Sequence, residues 1–143
     1  MEYTIVLVDD DGDDRLFFRD AVKKASRDIS CITLEDGFAL ISYLKEDEKQ
    51  PDLIFLDINM PVMNGWECLS ILKEDDAYRD IPVIMYSTSR HDEEISKAKD
   101  AGAFSFFNKP HDFTVLKQAV SDAIAHVLEG KLMELPEHSK LFY

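Results

Sequence analysis

The chain alternates short apolar runs with longer stretches in which apolar residues recur every three or four positions. The runs are Ile5–Val8, Cys31–Leu34, Leu53–Leu56, Val83–Tyr86 and Phe104–Phe107. Their apolarity is near-continuous rather than alternating, as expected of strands covered by helices on both faces. Between them, Phe17, Phe18, Ala21, Val22 and Ala25 form one helical stripe, and Phe38, Ile41 and Leu44 a second. Cys68, Leu69 and Leu72 form a third, and Ile95, Ala98 and Ala101 a weaker one of small residues. The last and longest stripe is Phe113, Leu116, Val120, Ala123, Ile124 and Val127. Gly37, Gly65 and Gly102 mark turns or helix ends, Pro51 and Pro82 precede strands, and Gly130 stops the last helix. This alternation predicts five βα units in a doubly wound α/β domain with parallel strand order 2-1-3-4-5. Residues 1–128 are read as that domain and 129–143 as a short tail.

Composition narrows the class. A chain of 143 residues with 45% hydrophobic and 31% charged residues is an ordinary globular domain. No apolar run approaches the ~20 residues of a membrane span, and the N-terminus has no signal-peptide pattern. Cys31 and Cys68 sit in apolar surroundings and are read as reduced core residues of a cytoplasmic protein. The net charge of −13 opposes the phosphate neutralisation on which nucleic-acid binding depends. Direct nucleic-acid binding and membrane association are therefore not expected.

The acidity matters most in one place. Residues 5–14 read IVLVDDDGDD, so the first strand runs straight into five carboxylates. In a sheet of order 2-1-3-4-5, ligands sit beyond the carboxyl ends of the strands, where the order reverses between strands 1 and 3. Asp9 and Asp10 follow strand 1 and Asp57 follows the apolar core of strand 3. Two carboxylates about 5 Å apart repel by roughly 3 kcal/mol at an effective dielectric of ~20. A hard divalent cation such as Mg²⁺ offsets that repulsion while leaving room for water and phosphate oxygens. A phosphoryl group entering such a site calls for further positive charge, which Lys109 in FFNKP can supply after strand 5. Ser87, after strand 4, adds a hydroxyl donor on the same sheet edge.

Taken together, IVLVDD, DLIFLDINMPVMNG, IPVIMYS and FFNKP resemble the response-regulator receiver domains of two-component signalling, in particular the stand-alone chemotaxis type. The resemblance runs from about Tyr3 to Leu128 and implies a flavodoxin-like (βα)₅ fold. It further implies that Asp57 is the phosphoacceptor. Mg²⁺ would be bound by Asp9, Asp10, Asp57 and the backbone carbonyl of Asn59. Ser87 and Lys109 would contact the phosphoryl group, with the Lys109–Pro110 bond cis. Phe106 occupies the aromatic switch position, where it lacks the hydroxyl of the tyrosine often found there. Asn59 and Ser89 stand where the family tunes phosphoryl lifetime. The implied donor is a histidine kinase or a histidine phosphotransfer protein, and the implied output is a helix 4–strand 5–helix 5 face read by a downstream protein that the sequence does not name. Such a domain catalyses only its own phosphorylation and dephosphorylation.

Other readings of the residues fare less well. An EF-hand with Gly12 at loop position 6 would put Leu7 at position 1 and Phe18 at position 12, where acids are required. A haloacid-dehalogenase-like phosphatase could use Asp9 and Asp11 at D-x-D spacing, but the chain lacks room for a cap and a later acidic pair. In that reading Asp9 and Asp11 are the nucleophile and the acid, whereas in the receiver reading Asp11 is a spare for the acidic pair, and Asp13 and Asp14 are first-turn acids favoured by the helix dipole. A phosphate-free scaffold would not need the full set of acids, hydroxyl and lysine.

Overall fold

Every apolar run becomes a strand of one sheet. The computed structural model of the chain describes residues 3–46, 49–88, 92–128 and 141–142. Strands β1 (Tyr3–Val8), β2 (Ile29–Leu34), β3 (Leu53–Asp57), β4 (Val83–Ser87) and β5 (Ser105–Asn108) alternate with helices α1 (Gly12–Ala25), α2 (Gly37–Glu46), α3 (Gly65–Glu74), α4 (Asp92–Asp100) and α5 (Phe113–Ala123). The five strands are parallel in the order 2-1-3-4-5. A π-helical turn, Ile124–Leu128, continues α5.

The sheet divides two cores. Alternate strand residues Val6, Val8, Ile54, Leu56, Met85 and Phe106 meet Leu40, Leu44, Cys68, Leu69, Leu72 and Ala98 from α2, α3 and α4. Their neighbours Ile5, Leu7, Leu53, Phe55, Tyr86 and Phe107 meet Phe18, Ala21, Val22, Leu116, Ala119 and Val120 from α1 and α5. Full burial of each such side chain contributes about 1.5–3 kcal/mol, so Phe55→Ala would cost about 3–5 kcal/mol. Local signals fix the helix starts. Asp11 caps α1, Asp112 caps α5, and Asn64 forms a reciprocal capping box with Glu67 at α3.

Two features depart from the sequence reading. Strand β2 is only half-buried along its whole length, because as an edge strand it pairs with β1 alone. Leu141–Phe142 form a short strand β6, antiparallel to Phe106–Phe107 on the outer edge of β5, so part of the tail joins the sheet. Gly130, read as the stop of the last helix, lies outside the described residues, as does Ser89. No helix among the described residues is long and apolar enough to cross a membrane.

Candidate functional site

Parallel register gathers the candidate residues at one sheet edge. Val8 pairs with Leu56, so Asp9 and Asp57 emerge side by side at the ends of β1 and β3. Ser87 pairs with Asn108, which places Lys109 one residue beyond. The Lys109 amide donates to the Ser87 carbonyl at 2.7 Å, and Asn108 Nδ2 donates to the same oxygen at 3.1 Å. Carboxylate oxygens of Asp9, Asp10 and Asp57 all lie within 4.8 Å of one another.

Charge is concentrated and mostly buried here. Asp9, Asp57 and Ser87 are buried, whereas Asp10 is exposed. Lys109 Nζ stands 2.8 Å from Asp9 Oδ2, 3.1 Å from Asp14 Oδ2 and 3.5 Å from Asp57 Oδ2. Burial, opposed by Lys109 and reinforced by the Asp9 charge, raises the Asp57 carboxyl to about 7. Asp9 is raised by the same desolvation, against the pull of Lys109 and of the Asp11 amide. Burial alone would lower Lys109, but its contacts with Asp9, Asp57 and Asp14 outweigh that and hold it above the usual lysine value. One ammonium thus faces three carboxylates, two of them in a dry setting. Asp9 Oδ2, despite its short distance to Lys109, has no hydrogen-bond partner of acceptable angle. Clustered hard oxygen donors with spare acceptor capacity and a net negative charge fit a divalent cation.

Backbone geometry aims the acids. The Asp11 amide donates to Asp9 Oδ1 at 3.0 Å, and Arg15 donates to the Asp9 carbonyl at 2.8 Å. The Asn59 amide donates to Asp57 Oδ1 at 3.3 Å. Behind Asp57, the Gly65 amide donates to the Ile58 carbonyl at 2.8 Å, and a side chain at Gly65 would collide with the Asp57 carbonyl oxygen. Only glycine lets α3 start that close to β3.

The structure sorts the sequence-predicted residues. Asp9, Asp10, Asp57 and Lys109 come together, and Ser87 sits on the adjoining strand end. Asp11 turns away to cap α1, accepting from the amides of Asp13 and Asp14 at 2.8 and 3.2 Å, which removes the D-x-D pair of the phosphatase reading. Asp14 does more than complement the helix dipole: its carboxylate reaches Lys109 across 95 residues of sequence. The Lys109–Pro110 peptide is trans, not cis. Phe106 is fully buried on the α4 side of the sheet, and Asn59 is exposed beside Asp57. Trp66 packs partly against the same core, with Lys97 Nζ 4.6 Å from its ring. Both thiols are unpaired; burial pushes Cys31 up to about 11 and Cys68 to about 12, which leaves them unreactive.

Comparison with known proteins gives a consistent result. The response regulator receiver domain family matches residues 5–121. Response regulator Rcp1 of Synechocystis sp. is 27% identical over 130 residues, spanning 87% of this chain and 88% of that protein. Protein PilG of Pseudomonas aeruginosa is 29% identical over 123 residues, spanning 86% of each. Among solved structures, the phosphorylated cyanobacterial phytochrome response regulator RcpA superposes with a TM-score of 0.81 at 27% identity, over 96% of this chain and 100% of that one. The Mn²⁺-bound form of Rcp1 gives 0.77 at 25% identity, over 94% and 99%.

Proposed function

The chain belongs to the response regulator receiver domain family, and from that premise we propose that it accepts a phosphoryl group on Asp57 in a Mg²⁺-dependent reaction. The observation that carries this reading is the position of Asp57, buried at the end of β3 within 3.5 Å of Lys109 and beside the Asp9–Asp10 pair. An Asp57 oxygen attacks the phosphorus of a phosphohistidine donor; the new O–P bond forms as the P–N bond breaks, and the electron pair leaves with the imidazole. Asp57 reacts as the carboxylate, and Lys109 favours that form against the burial that opposes it.

Asp9, Asp10, Asp57 and the Asn59 carbonyl would hold the cation. When bound, Mg²⁺ supplies positive charge that offsets the carboxylates and the phosphoryl oxygens. Lys109 turns its N–H groups to one phosphoryl oxygen and the Ser87 hydroxyl donates to another. Movement of Ser87 opens space towards Phe106, whose rotamer biases the α4–β5–α5 face that a downstream protein reads. Strand β6 lies along the β5 edge of that face, so a partner there meets β6 as well.

The donor is read as a histidine kinase or histidine phosphotransfer protein in the cytoplasm. Two relatives sharpen the choice of donors to test: the sensor histidine kinase CheAY of Helicobacter pylori, 26% identical over 129 residues that make up 16% of that protein, and RcpA, described as a phytochrome response regulator. We read the domain as acting on itself rather than as an enzyme with a separate substrate, and neither nucleic acid nor membrane as a direct partner.

The deciding experiment incubates wild type and Asp57→Asn with a small acyl phosphate, with Mg²⁺ or with chelator, and follows intact mass. Wild type should gain one phosphoryl group only with Mg²⁺, and the variant none. Labelling without metal, or undiminished labelling of the variant, would overturn the reading.

A further inference from the structure

Lys109 has one anionic partner more than phosphoryl transfer at Asp57 requires. Its ammonium donates a hydrogen bond to Asp14 Oδ2 at 3.1 Å, while the Asp57 oxygen it is expected to serve lies farther off at 3.5 Å. Asp14 is held in place from two directions. Its amide is tied to the Asp11 carboxylate at 3.2 Å in the first turn of α1, and α1 is anchored by the buried Phe18, Ala21 and Val22. Lys109 is equally constrained. Its amide is fixed to Ser87, and the Tyr86 ring lies 5.1 Å from its ammonium. The backbones of both partners are thus fixed by packed elements, which keeps their side chains within reach of each other.

We infer that Asp14 is a positioning residue that competes with the phosphoryl group for the Lys109 ammonium, and so limits how tightly the phosphorylated form is held. The inference rests on the reading of Asp57 as the acceptor. For Lys109 to direct N–H groups at oxygens on Asp57, it must weaken or share its bond to Asp14, whose negative charge also faces the incoming group. Asp14 lies outside the Asp9–Asp10–Asp57 cluster, so its removal takes away a competitor and no proposed cation ligand. The expected sign is therefore a gain. Partial exposure of Asp14, at 39% of its side chain, keeps the effect moderate and makes it weaken with salt.

The test measures beryllofluoride binding, as a phosphoryl mimic, in the presence of Mg²⁺ by calorimetry. Asp14→Asn should bind about two- to fivefold more tightly than wild type, and the difference should shrink at high ionic strength. Asp14→Glu, which restores the charge, should return towards wild type. Asp13→Asn controls for the loss of a negative charge, since Asp13 is exposed, and should leave the affinity unchanged. Unchanged or weaker binding by Asp14→Asn, or an equal gain in Asp13→Asn, overturns the inference while leaving the acceptor reading intact. If wild type binds no beryllofluoride, the acceptor reading fails and this inference falls with it.

Discussion

Tyr86 and Lys109 touch across the sheet edge: the tyrosine ring lies 5.1 Å from the lysine ammonium, while the next residue, Ser87, accepts the lysine's backbone N–H at 2.7 Å. Residues 86 and 87 thus hold Lys109 at both ends. The Tyr86 ring is itself fixed by stacking on Phe107 at 5.6 Å and by edge contacts with Phe18 and Phe55. A cation over a desolvated aromatic face gains about 1–2 kcal/mol. Tyr86→Leu keeps an apolar side chain but loses that face, so labelling by a small acyl phosphate should slow about fivefold or more. Tyr86→Phe keeps the ring and should label at close to the wild-type rate. Equal slowing of both would assign the effect to the phenol rather than to the ring.

Asp57 makes the chelator-treated protein respond to pH in a definite direction. Burial raises its carboxyl from 3.8 to about 7 in the folded state. Between those values the unfolded chain has already lost a proton that the folded chain keeps. The stabilising contribution is complete below about 3.8 and lost as pH rises through about 7. Urea unfolding in chelator should show stability falling across that window. Asp57→Asn should flatten the slope and, above the window, exceed wild type by on the order of 2–4 kcal/mol. Buried Asp9, raised in the same direction, leaves some slope in the variant.

Gly65 couples the start of α3 to the strand that ends in Asp57. A Cβ there would lie 2.7 Å from Ile58 Cα and press on the Asp57 carbonyl. These are backbone atoms that cannot swing aside. Gly65→Ala should cost about 1–3 kcal/mol in urea unfolding and slow acyl-phosphate labelling, because relief of the clash displaces Asp57. Unaltered stability would mean that α3 can shift without strain.

Val62 has a φ of +68°, and 87% of its surface is exposed. A β-branched residue in the left-handed region stores about 1–3 kcal/mol, and no burial repays it. Val62→Asn should therefore raise the urea midpoint, by about 0.5–1 kcal/mol in stability. A lower midpoint would show that the valine contributes contacts exceeding its strain.

The site was legible where chemistry follows strand order. Asp57, Lys109 and the Asp9–Asp10 pair sit at the ends of apolar runs, and parallel register then forces them together. Asp14 was not legible, because its role depends on the rotation of α1. Once Asp11 takes the cap, the helix starts at Gly12 and its first turn aims Asp14 at Lys109, while Asp13 stays in solvent. Among five acids in ten residues, sequence offers no signal to tell those two apart. The half-burial of β2 follows from the strand order, which makes it an edge; the apolar run Cys31–Leu34 alone does not set it apart from the central strands. Backbone choices with small energy gaps, such as the trans Lys109–Pro110 bond, are set by the assembled loop rather than by local composition.

Strand β6 bears on how the protein behaves in concentrated solution. Because Leu141–Phe142 already bond to the rim of β5, the aromatic stretch SFFN offers no ready template to a neighbouring molecule at that point. A version ending before Leu141 would uncover that rim, and self-association through it would follow without any change at the acidic centre.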